Sequence, residues 1–255
     1  MEAALKLGVQ RLTGEVTSLV HDPSTSRIAG VRLSDGRLLT ADQVLLCTGA
    51  WTSALLSSLE DTLAIPPASR IETQLKATGT VSAYYRVSPS EISTLCAAGT
   101  PVVVYGGNGE VFPPSPENGL MKFSNSKTTF TNTITTSSGA RISVPLQDQG
   151  YVPAALKRET EEIMKRKVFP QFAKGKKPEF WRVCYDAQTP SEDFLLCRYP
   201  HDETRNLFLM TGGSFHSYKS ATPFPLYSCG HSLTLVGQVH ADYWQVYGQC
   251  SEGGE

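Results

Sequence analysis

The stretch that decides the fold is Val44-Leu-Leu-Cys-Thr-Gly-Ala-Trp-Thr52. Its first four residues form a continuous apolar run, which predicts a strand buried on both faces. The run ends in a glycine turn, and residues 53–59 then predict a helix. Glycine lets backbone N–H groups come close to an anion, and the amino terminus of the following helix adds a favourable dipole. The stretch therefore predicts a strand–turn–helix unit that can contact an anionic ligand.

Upstream of this unit the sequence predicts strands and turns. Residues 1–20 predict the end of a helix followed by a strand, and 21–26 predict a turn. Residues 28–33 and 38–41 then predict two strands that face each other across 34–37, because Asp35-Gly36 is a strong hairpin signal.

The pattern changes between residues 63 and 180. Short apolar runs predict strands at 84–87 and 102–105, and a further strand begins at 119–122. The Ser/Thr-rich stretch 128–138 is either a polar edge or an inserted loop. Residues 153–169 predict the clearest helix, with a solvated basic last turn at 165–167. Residues 205–212 predict one more short strand. The chain is therefore expected to have an α/β (α+β) fold.

Composition excludes several classes of function. The 255 residues carry a net charge of −1, so no basic field supports nucleic-acid binding. No apolar run is long enough to predict a membrane span. The six cysteines contain no Cys-x-x-Cys pair, and the sequence predicts no metal site. Cys47 and Cys96 are predicted to be buried apolar thiols. No signal peptide opens the chain, so a cytoplasmic location is expected.

Two segments place reactive side chains close together in the sequence. The first is Trp181-Arg-Val-Cys-Tyr-Asp-Ala-Gln-Thr-Pro-Ser-Glu-Asp-Phe-Leu-Leu196, and the second is Thr211-Gly-Gly-Ser-Phe-His-Ser-Tyr-Lys219. We expect them to carry one cysteine, one histidine and one lysine on short loops at the ends of two apolar runs. A thiolate at Cys184 is a nucleophile and Lys219 is a flexible point charge for a carboxylate.

These segments resemble the flavin-proximal parts of amine oxidases in the D-amino-acid-oxidase-like superfamily, nearest to the fructosyl-amino-acid, sarcosine and saccharopine oxidase group. Cys184, Tyr185 and Thr189-Pro190 follow the pattern around the family's flavin-attachment cysteine, and His216-Ser-Tyr-Lys219 follows its His-x-(Phe/Tyr)-Lys pattern. Gly119-Leu-Met-Lys122 is similar to the Gly-(Leu/Ile)-x-Lys pattern, and Thr48-Gly-Ala-Trp51 is similar to a turn that touches the dinucleotide.

The resemblance implies FAD as the cofactor, an amine as the substrate and dioxygen as the acceptor. It implies that Cys184 tethers the flavin, that Lys219 with Tyr218 binds the substrate carboxylate, and that Lys122 assists oxygen reduction. His216 would lie beside the flavin, as a contact rather than a base. The further cofactor contacts that it implies are Val16, Thr48, Gly49, Ala50, Trp51, Gly213, Ser214 and Phe215.

The resemblance also implies a domain organisation. Residues 1–62 and 181–219 would form the second part of a FAD-binding Rossmann-like domain, and 63–180 would form an antiparallel-sheet substrate domain. No Gly-x-Gly-x-x-Gly follows a strand in the chain, so the glycine-rich unit is expected to precede Met1. Residues 220–255 depart from the family pattern and are expected to be a divergent tail.

Three functions remain open from the sequence. The first is an amine oxidase that produces hydrogen peroxide, acting as a monomer in the cytoplasm or, by resemblance, in the peroxisome, although no peroxisomal tripeptide ends the chain. The second is an inactive truncated paralogue that binds no flavin. The third is a nicotinamide-dependent dehydrogenase, which is disfavoured because the segment around Cys184 has no use there.

Overall fold

The computed structural model describes residues 5–6, 8–168 and 170–213, together with the backbone of 233–238 and 244–248. It divides into two compact units. The first takes the described residues of Met1–Ala77, Thr133–Val144 and Asp186–Glu255, and the second takes Thr78–Asn132 and Pro145–Tyr185. Two of the boundaries lie inside continuous strands, at 77/78 and 185/186, so no change of composition marks them.

The described strands are β1 (Gln10–Thr13), β2 (Val16–Asp22), β3 (Arg27–Leu33), β4 (Leu38–Thr40), β5 (Gln43–Cys47), β6 (Lys76–Arg86), β7 (Val103–Val104), β8 (Glu110–Phe112), β9 (Leu120–Phe130), β10 (Thr133–Thr135), β11 (Arg141–Ser143), β12 (Phe180–Gln188), β13 (Leu195–Arg198), β14 (Leu207–Thr211), β15 (Leu233–Gln238) and β16 (Trp244–Gly248). The described α-helices are α1 (Thr52–Thr62), α2 (Pro89–Ala97), α3 (Ala154–Ile163) and α4 (Pro170–Ala173).

The first unit is built on a mixed sheet with strand order β1-β16-β15-β5-β14-β13. Strand β5 lies between β14 and β15 and is parallel to both. Val44, Leu45 and Leu46 are buried, which confirms the predicted strand with two covered faces. The apolar side of α1 joins Val44 and Leu46 in one core, so the predicted strand–turn–helix unit is confirmed.

A small antiparallel sheet, β2-β3-β4, lies in the same unit. The predicted hairpin is confirmed: the Leu33 amide donates to the Arg37 carbonyl at 2.9 Å, and Asp35-Gly36 form the turn. Residues 10–22 form two strands rather than the single strand predicted. β1 pairs with β16 and β2 pairs with β3, so the chain changes sheet at Gly14-Glu15.

Asn206 joins this small sheet to the start of β14. Its side-chain oxygen accepts from the Ile28 amide, and its side-chain nitrogen donates to the carbonyls of Ile28 and Asp42, each at 2.8 Å. The Val44 amide in turn donates to the Asn206 carbonyl at 2.9 Å. Asn206 is buried, and its side chain satisfies backbone groups of two segments, at Ile28 and at Asp42.

The second unit contains a five-stranded sheet with order β12-β6-β9-β8-β7. The β6–β9, β9–β8 and β8–β7 pairs are antiparallel, in agreement with the predicted antiparallel sheet. One face carries Ala83, Tyr85, Met121 and Phe123, which pack against Met164 and its apolar neighbours in a single core. The mixed helix and strand fold expected from the sequence is therefore confirmed.

The helix predicted at 153–169 is shorter than expected. Helix α3 ends at Ile163, residues Met164–Val168 form a wider π turn, and α4 begins at Pro170. Proline lacks an amide hydrogen and clashes with the preceding turn, so a single helix cannot run through this point. The basic residues of the π turn are exposed, as predicted, and Lys165 and Arg166 pair with carboxylates four residues earlier.

The Ser/Thr-rich stretch 128–138 resolves into strand rather than an inserted loop. β9 continues to Phe130, and β10 pairs with β11 in a two-stranded hairpin. Among the residues described, no helix has both the length and the apolar character needed to cross a membrane.

Candidate functional site

The carboxyl ends of β5 and β14 lie side by side in the first unit. The parallel register pairs Leu46 with Leu209, so both strands end at the same edge of the sheet. The segment that begins at Thr48 is thereby brought next to the segment that begins at Thr211. Ligands of open sheets with parallel strands bind at such carboxyl edges.

Three buried threonines tie these two segments together. The Thr52 hydroxyl donates to the Gly49 carbonyl at 2.7 Å, and it lies 2.8 Å from the Thr48 hydroxyl and 3.2 Å from the Thr211 hydroxyl. The Thr211 hydroxyl also donates to the Gly49 carbonyl at 3.4 Å. The sequence predicted no role for Thr52 or Thr211. One sequence pattern could have pointed to both residues, because each threonine lies beside a glycine turn that follows a buried strand.

The turn at Gly49 is shaped for a close approach by a ligand. Gly49 has φ +49°, and a Cβ built there meets no heavy atom within 4 Å other than its chain neighbours. The space next to this backbone is therefore open, and the turn leads directly into α1. Ala50 is buried, whereas Trp51 is partly exposed. This arrangement fits the anionic part of a dinucleotide.

Gly212 is held against the turn that follows β12. A Cβ at Gly212 would lie 3.0 Å from Thr189 Cγ2 and 3.1 Å from the Leu195 amide nitrogen, and Gly212 has φ +70°. The Thr189 hydroxyl closes its own turn by donating to the Asp193 carbonyl at 2.7 Å. The predicted turn at Thr189-Pro190 is therefore present, and it supports the start of the 211–219 segment.

Several predicted site residues fall outside this description. Ser214, Phe215, His216, Tyr218 and Lys219 lie outside the residues that the structure describes. Gly213 is described and is half-buried. Val16 lies in β2 with its side chain in the apolar core, so only its backbone remains for the predicted cofactor contact. The roles of all these residues stay predictions.

Cys184 does not lie on a short loop, as was predicted, but inside strand β12 of the second unit. The strand continues to Gln188 because Val183 and Ala187 are buried on one of its faces. Cys184 is half-buried, and its sulfur lies 3.8 Å from the Ser82 hydroxyl. The neighbouring Tyr84 has a raised pKa, mainly through burial and further through the charge of Cys184.

Lys122 lies on strand β9, as the sequence predicted. It is opposite Tyr84 on β6 and Phe112 on β8, and its Nζ lies 4.9 Å from the centre of the Phe112 ring. A cation over an aromatic face is attracted by the ring quadrupole. Lys122 is partly exposed, so its ammonium is available on the polar face of the sheet.

The remaining described cysteines differ in environment. Cys47 is half-buried rather than fully buried as predicted, and its burial raises the pKa of the thiol to about 12, so the thiol stays protonated. Cys96 is exposed, which corrects the prediction of a buried one. It lies on the short helix α2, and the prediction rested only on the usual burial of free cysteines. Within the described part of the chain, no group of three or more His, Cys, Asp or Glu is placed to hold a metal ion.

A buried carboxylate lies in the first unit, and no sequence pattern pointed to it. Glu60 in α1 is 0% exposed, and its Oε1 accepts from the Tyr199 hydroxyl and the Ile71 amide, both at 2.7 Å. Its Oε2 has no hydrogen-bond partner among the described residues. Burial raises the pKa of Glu60, and the hydrogen bonds from Ile71 and Tyr199 and the charge of Arg70 partly oppose that rise.

Comparisons with known proteins support a flavin-dependent family. The model of the family described as "FAD dependent oxidoreductase" (DAO) matches residues 1–224. Curated protein sequences give no match. The chain is similar to the solved structure of fructosamine oxidase (Amadoriase II) from Aspergillus fumigatus, with 23% identity, a TM-score of 0.66, and coverage of 80% of this chain and 44% of that one.

Two further solved structures give the same result. Fructosyl amine:oxygen oxidoreductase (Amadoriase I) from Aspergillus fumigatus has 24% identity and a TM-score of 0.65, covering 79% of this chain and 41% of that one. A modified fructosyl peptide oxidase from Aspergillus nidulans has 25% identity and a TM-score of 0.66, covering 80% and 45%. The chain therefore spans less than half the length of the structures it matches.

Proposed function

This chain belongs to the FAD-dependent oxidoreductase (DAO) family, and we propose that it serves the oxidation of a secondary amine in an N-substituted amino acid, with dioxygen as the acceptor. The bound flavin would supply the electron transfer from the carbon–nitrogen bond to dioxygen, giving an imine and hydrogen peroxide. The protein would hold the cofactor, orient the amine and stabilise charge. Fructosyl amino acids, sarcosine and saccharopine-like amines are the candidate substrates.

One observation carries this proposal. Two glycine turns, at Gly49 and Gly212, lie at the carboxyl edge of parallel strands and are joined by the hydroxyls of Thr52 and Thr211. The space next to Gly49 is open. Backbone N–H groups at the start of α1 are the groups that bind a phosphate at such an edge. We assign this turn, residues 48–51, to the anionic part of FAD.

As the family resemblance implies, we also assign Cys184 and Lys122 to the flavin. Cys184 would tether the cofactor through its sulfur. Lys122 would place a positive charge where oxygen accepts electrons, since a fixed cation stabilises negative charge that develops there. We retain Lys219 with Tyr218 for the substrate carboxylate and His216 for a flavin contact, as the family resemblance implies.

The first experiment asks whether the chain binds flavin at all. The purified protein is incubated with FAD, precipitated with acid and examined by absorbance and by mass spectrometry. A yellow chromophore that stays with the precipitate, together with a mass increase of one FAD, supports the proposal. Cys184→Ser should lose the acid-stable colour. Cys197→Ser, which changes another half-buried cysteine on a strand, should keep it.

The second experiment asks which reaction follows. Peroxide is measured with fructosyl-valine, sarcosine and saccharopine, without added nicotinamide. Peroxide formation that depends on the amine supports the oxidase, and Lys122→Met should lower the rate with oxygen more than the rate with an artificial electron acceptor. A protein that stays colourless with FAD and forms no peroxide would instead be the inactive paralogue.

A further inference from the structure

Three small side chains form a row across neighbouring strands of the second unit. Strands β12, β6 and β9 are adjacent, and they carry Cys184, Ser82 and Ser124. Ser82 is directly opposite Ser124 in the β6–β9 register. The Ser82 hydroxyl lies 2.9 Å from the Ser124 hydroxyl and 3.8 Å from the Cys184 sulfur. Ser82 therefore connects the other two members of the row.

The row lies on the polar face of the sheet, which also carries Lys122, whereas Val81, Ala83, Phe123 and Val183 are buried on the opposite face. Ser82 itself is 0% exposed. A buried hydroxyl costs free energy unless it is hydrogen-bonded, and the two serines already satisfy each other. Their contact with the sulfur is therefore more than the serine pair needs for its own stability.

The number of protons fixes the direction of these contacts. A serine hydroxyl has one hydrogen to donate and two lone pairs that accept, whereas a thiolate can only accept. When the sulfur is deprotonated, Ser82 must donate to it, and Ser82 can then only accept from Ser124. The hydroxyl of Thr80 lies 3.4 Å from the carbonyl of Cys184 and donates to it, which holds the backbone of the same residue.

Resting on the proposed function, in which Cys184 reacts as a thiolate, we propose that Ser82 and Ser124 are positioning residues that stabilise this thiolate and fix the direction of its sulfur. The two hydroxyls form a chain of donors that ends on the sulfur. Neither serine would touch the cofactor. Both act through Cys184, by donating towards its sulfur and holding it in one orientation.

The test measures the reactivity of Cys184 directly and needs no flavin. The folded protein is alkylated with iodoacetamide at one fixed pH, and the modified peptide is followed by mass spectrometry. Ser82→Ala should slow alkylation of Cys184 about 3- to 10-fold, because the sulfur loses the hydrogen bond that stabilises its charged, reactive form and holds its orientation. Ser82→Thr keeps the hydroxyl and should react within about 2-fold of the wild type.

The direction of the change separates positioning from a purely structural role. Loss of structure exposes the sulfur and makes alkylation faster, whereas loss of the donor makes it slower. Ser143→Ala is the matched control, since Ser143 is equally buried and hydrogen-bonded but lies in the first unit. It should leave the Cys184 rate unchanged. Alkylation of Cys197 in each sample reports whether the fold is intact.

Two outcomes would overturn the inference: a Cys184 rate in Ser82→Ala that equals or exceeds the wild-type rate, or the absence of slowing in Ser124→Ala. The Ser124 variant decides the question if the Ser82 variant does not fold. Failure of the proposed function would look different. The wild-type protein would then stay colourless with FAD, while alkylation of Cys184 would still be slower in the variants that lack either serine hydroxyl.

Discussion

Replacing Tyr199 with phenylalanine removes one donor from the buried carboxylate of Glu60. Both side chains are nearly inaccessible to water, at 1% and 0% exposure, so solvent cannot replace the lost 2.7 Å hydrogen bond. Burial raises the pKa of Tyr199, so its hydroxyl remains a protonated donor. A hydrogen bond to a charged group contributes about 1.5–3 kcal/mol, and we expect Tyr199→Phe to lower the free energy of unfolding by that amount at pH values above the raised pKa of Glu60.

The assay is equilibrium unfolding in urea, with the midpoint and slope compared between variants. Tyr85→Phe is the matched control, because Tyr85 is also 1% exposed but its hydroxyl has no hydrogen-bond partner among the described residues. Its loss should leave stability unchanged within about 0.5 kcal/mol or increase it. Unfolding of Tyr199→Phe and Tyr85→Phe at the same urea concentration would show that the Tyr199–Glu60 hydrogen bond does not stabilise the fold.

The dependence of the Tyr199→Phe effect on pH provides an internal check. At acid pH the Glu60 carboxyl is protonated and the bond joins two neutral groups. The penalty should then fall to about 0.5–1.5 kcal/mol, the usual range for a neutral pair. A penalty that stays constant over pH would mean that the charge on Glu60 does not strengthen the bond.

Three further predictions concern other parts of the chain. Burial raises the pKa of Glu60, so the folded state holds the proton of this carboxyl more tightly than the unfolded state does. Glu60 therefore contributes stability below its ordinary pKa of 4.5, and that contribution is lost as the pH rises through the raised pKa. Glu60→Gln should flatten that slope in urea midpoints measured from acid to neutral pH, and an unchanged slope would exclude Glu60 as its source. Gly212→Ala should lower the free energy of unfolding by about 1–3 kcal/mol, since the new Cβ combines a positive φ with contacts to Thr189 and Leu195. Gly49→Ala should lower it by about 1–2 kcal/mol, because there the new Cβ meets open space. Thermal unfolding that finds Gly49→Ala the less stable variant would contradict the role of these contacts. Phe123→Ala empties the core of the second unit and should cost about 3–5 kcal/mol, measured by the same unfolding assay with the exposed Phe194→Ala as control; equal losses in both would be inconsistent with that core.

The sequence predicted those parts of the fold whose signals are local. The run 44–47 could be recognised as a buried strand because all four residues are apolar, and Asp35-Gly36 specified its hairpin through backbone conformation. The strand containing Lys122 was predicted for similar reasons. The strand order could not be predicted from the sequence, because the partners of β5 come from distant segments and no local pattern specifies them.

The failures also have physical causes. β12 was missed as a strand around Cys184 because its residues mix aromatic, charged and apolar types, so only Val183 and Ala187 report the buried face. The helix was predicted as one element over 153–169 because its apolar spacing continues through Met164 and Val168, and that spacing does not distinguish the π turn at 164–168 from α-helix. Glu60 gave no signal at all, because a glutamate on a helix is normally exposed, and its burial depends on Tyr199, 139 positions further along the chain.

The position of β5 between β14 and β15 has a consequence for synthesis of the protein. Asn206, which completes the hydrogen bonds of the small sheet, reaches Asp42 across 164 positions of chain. At translation rates of about 5–20 residues per second, the apolar strand β5 waits roughly 8–30 s before β14 leaves the ribosome. During that interval the nascent chain exposes an unpaired apolar strand edge. The yield of folded protein in a cell should therefore depend on holding chaperones more than on the final stability of the sheet.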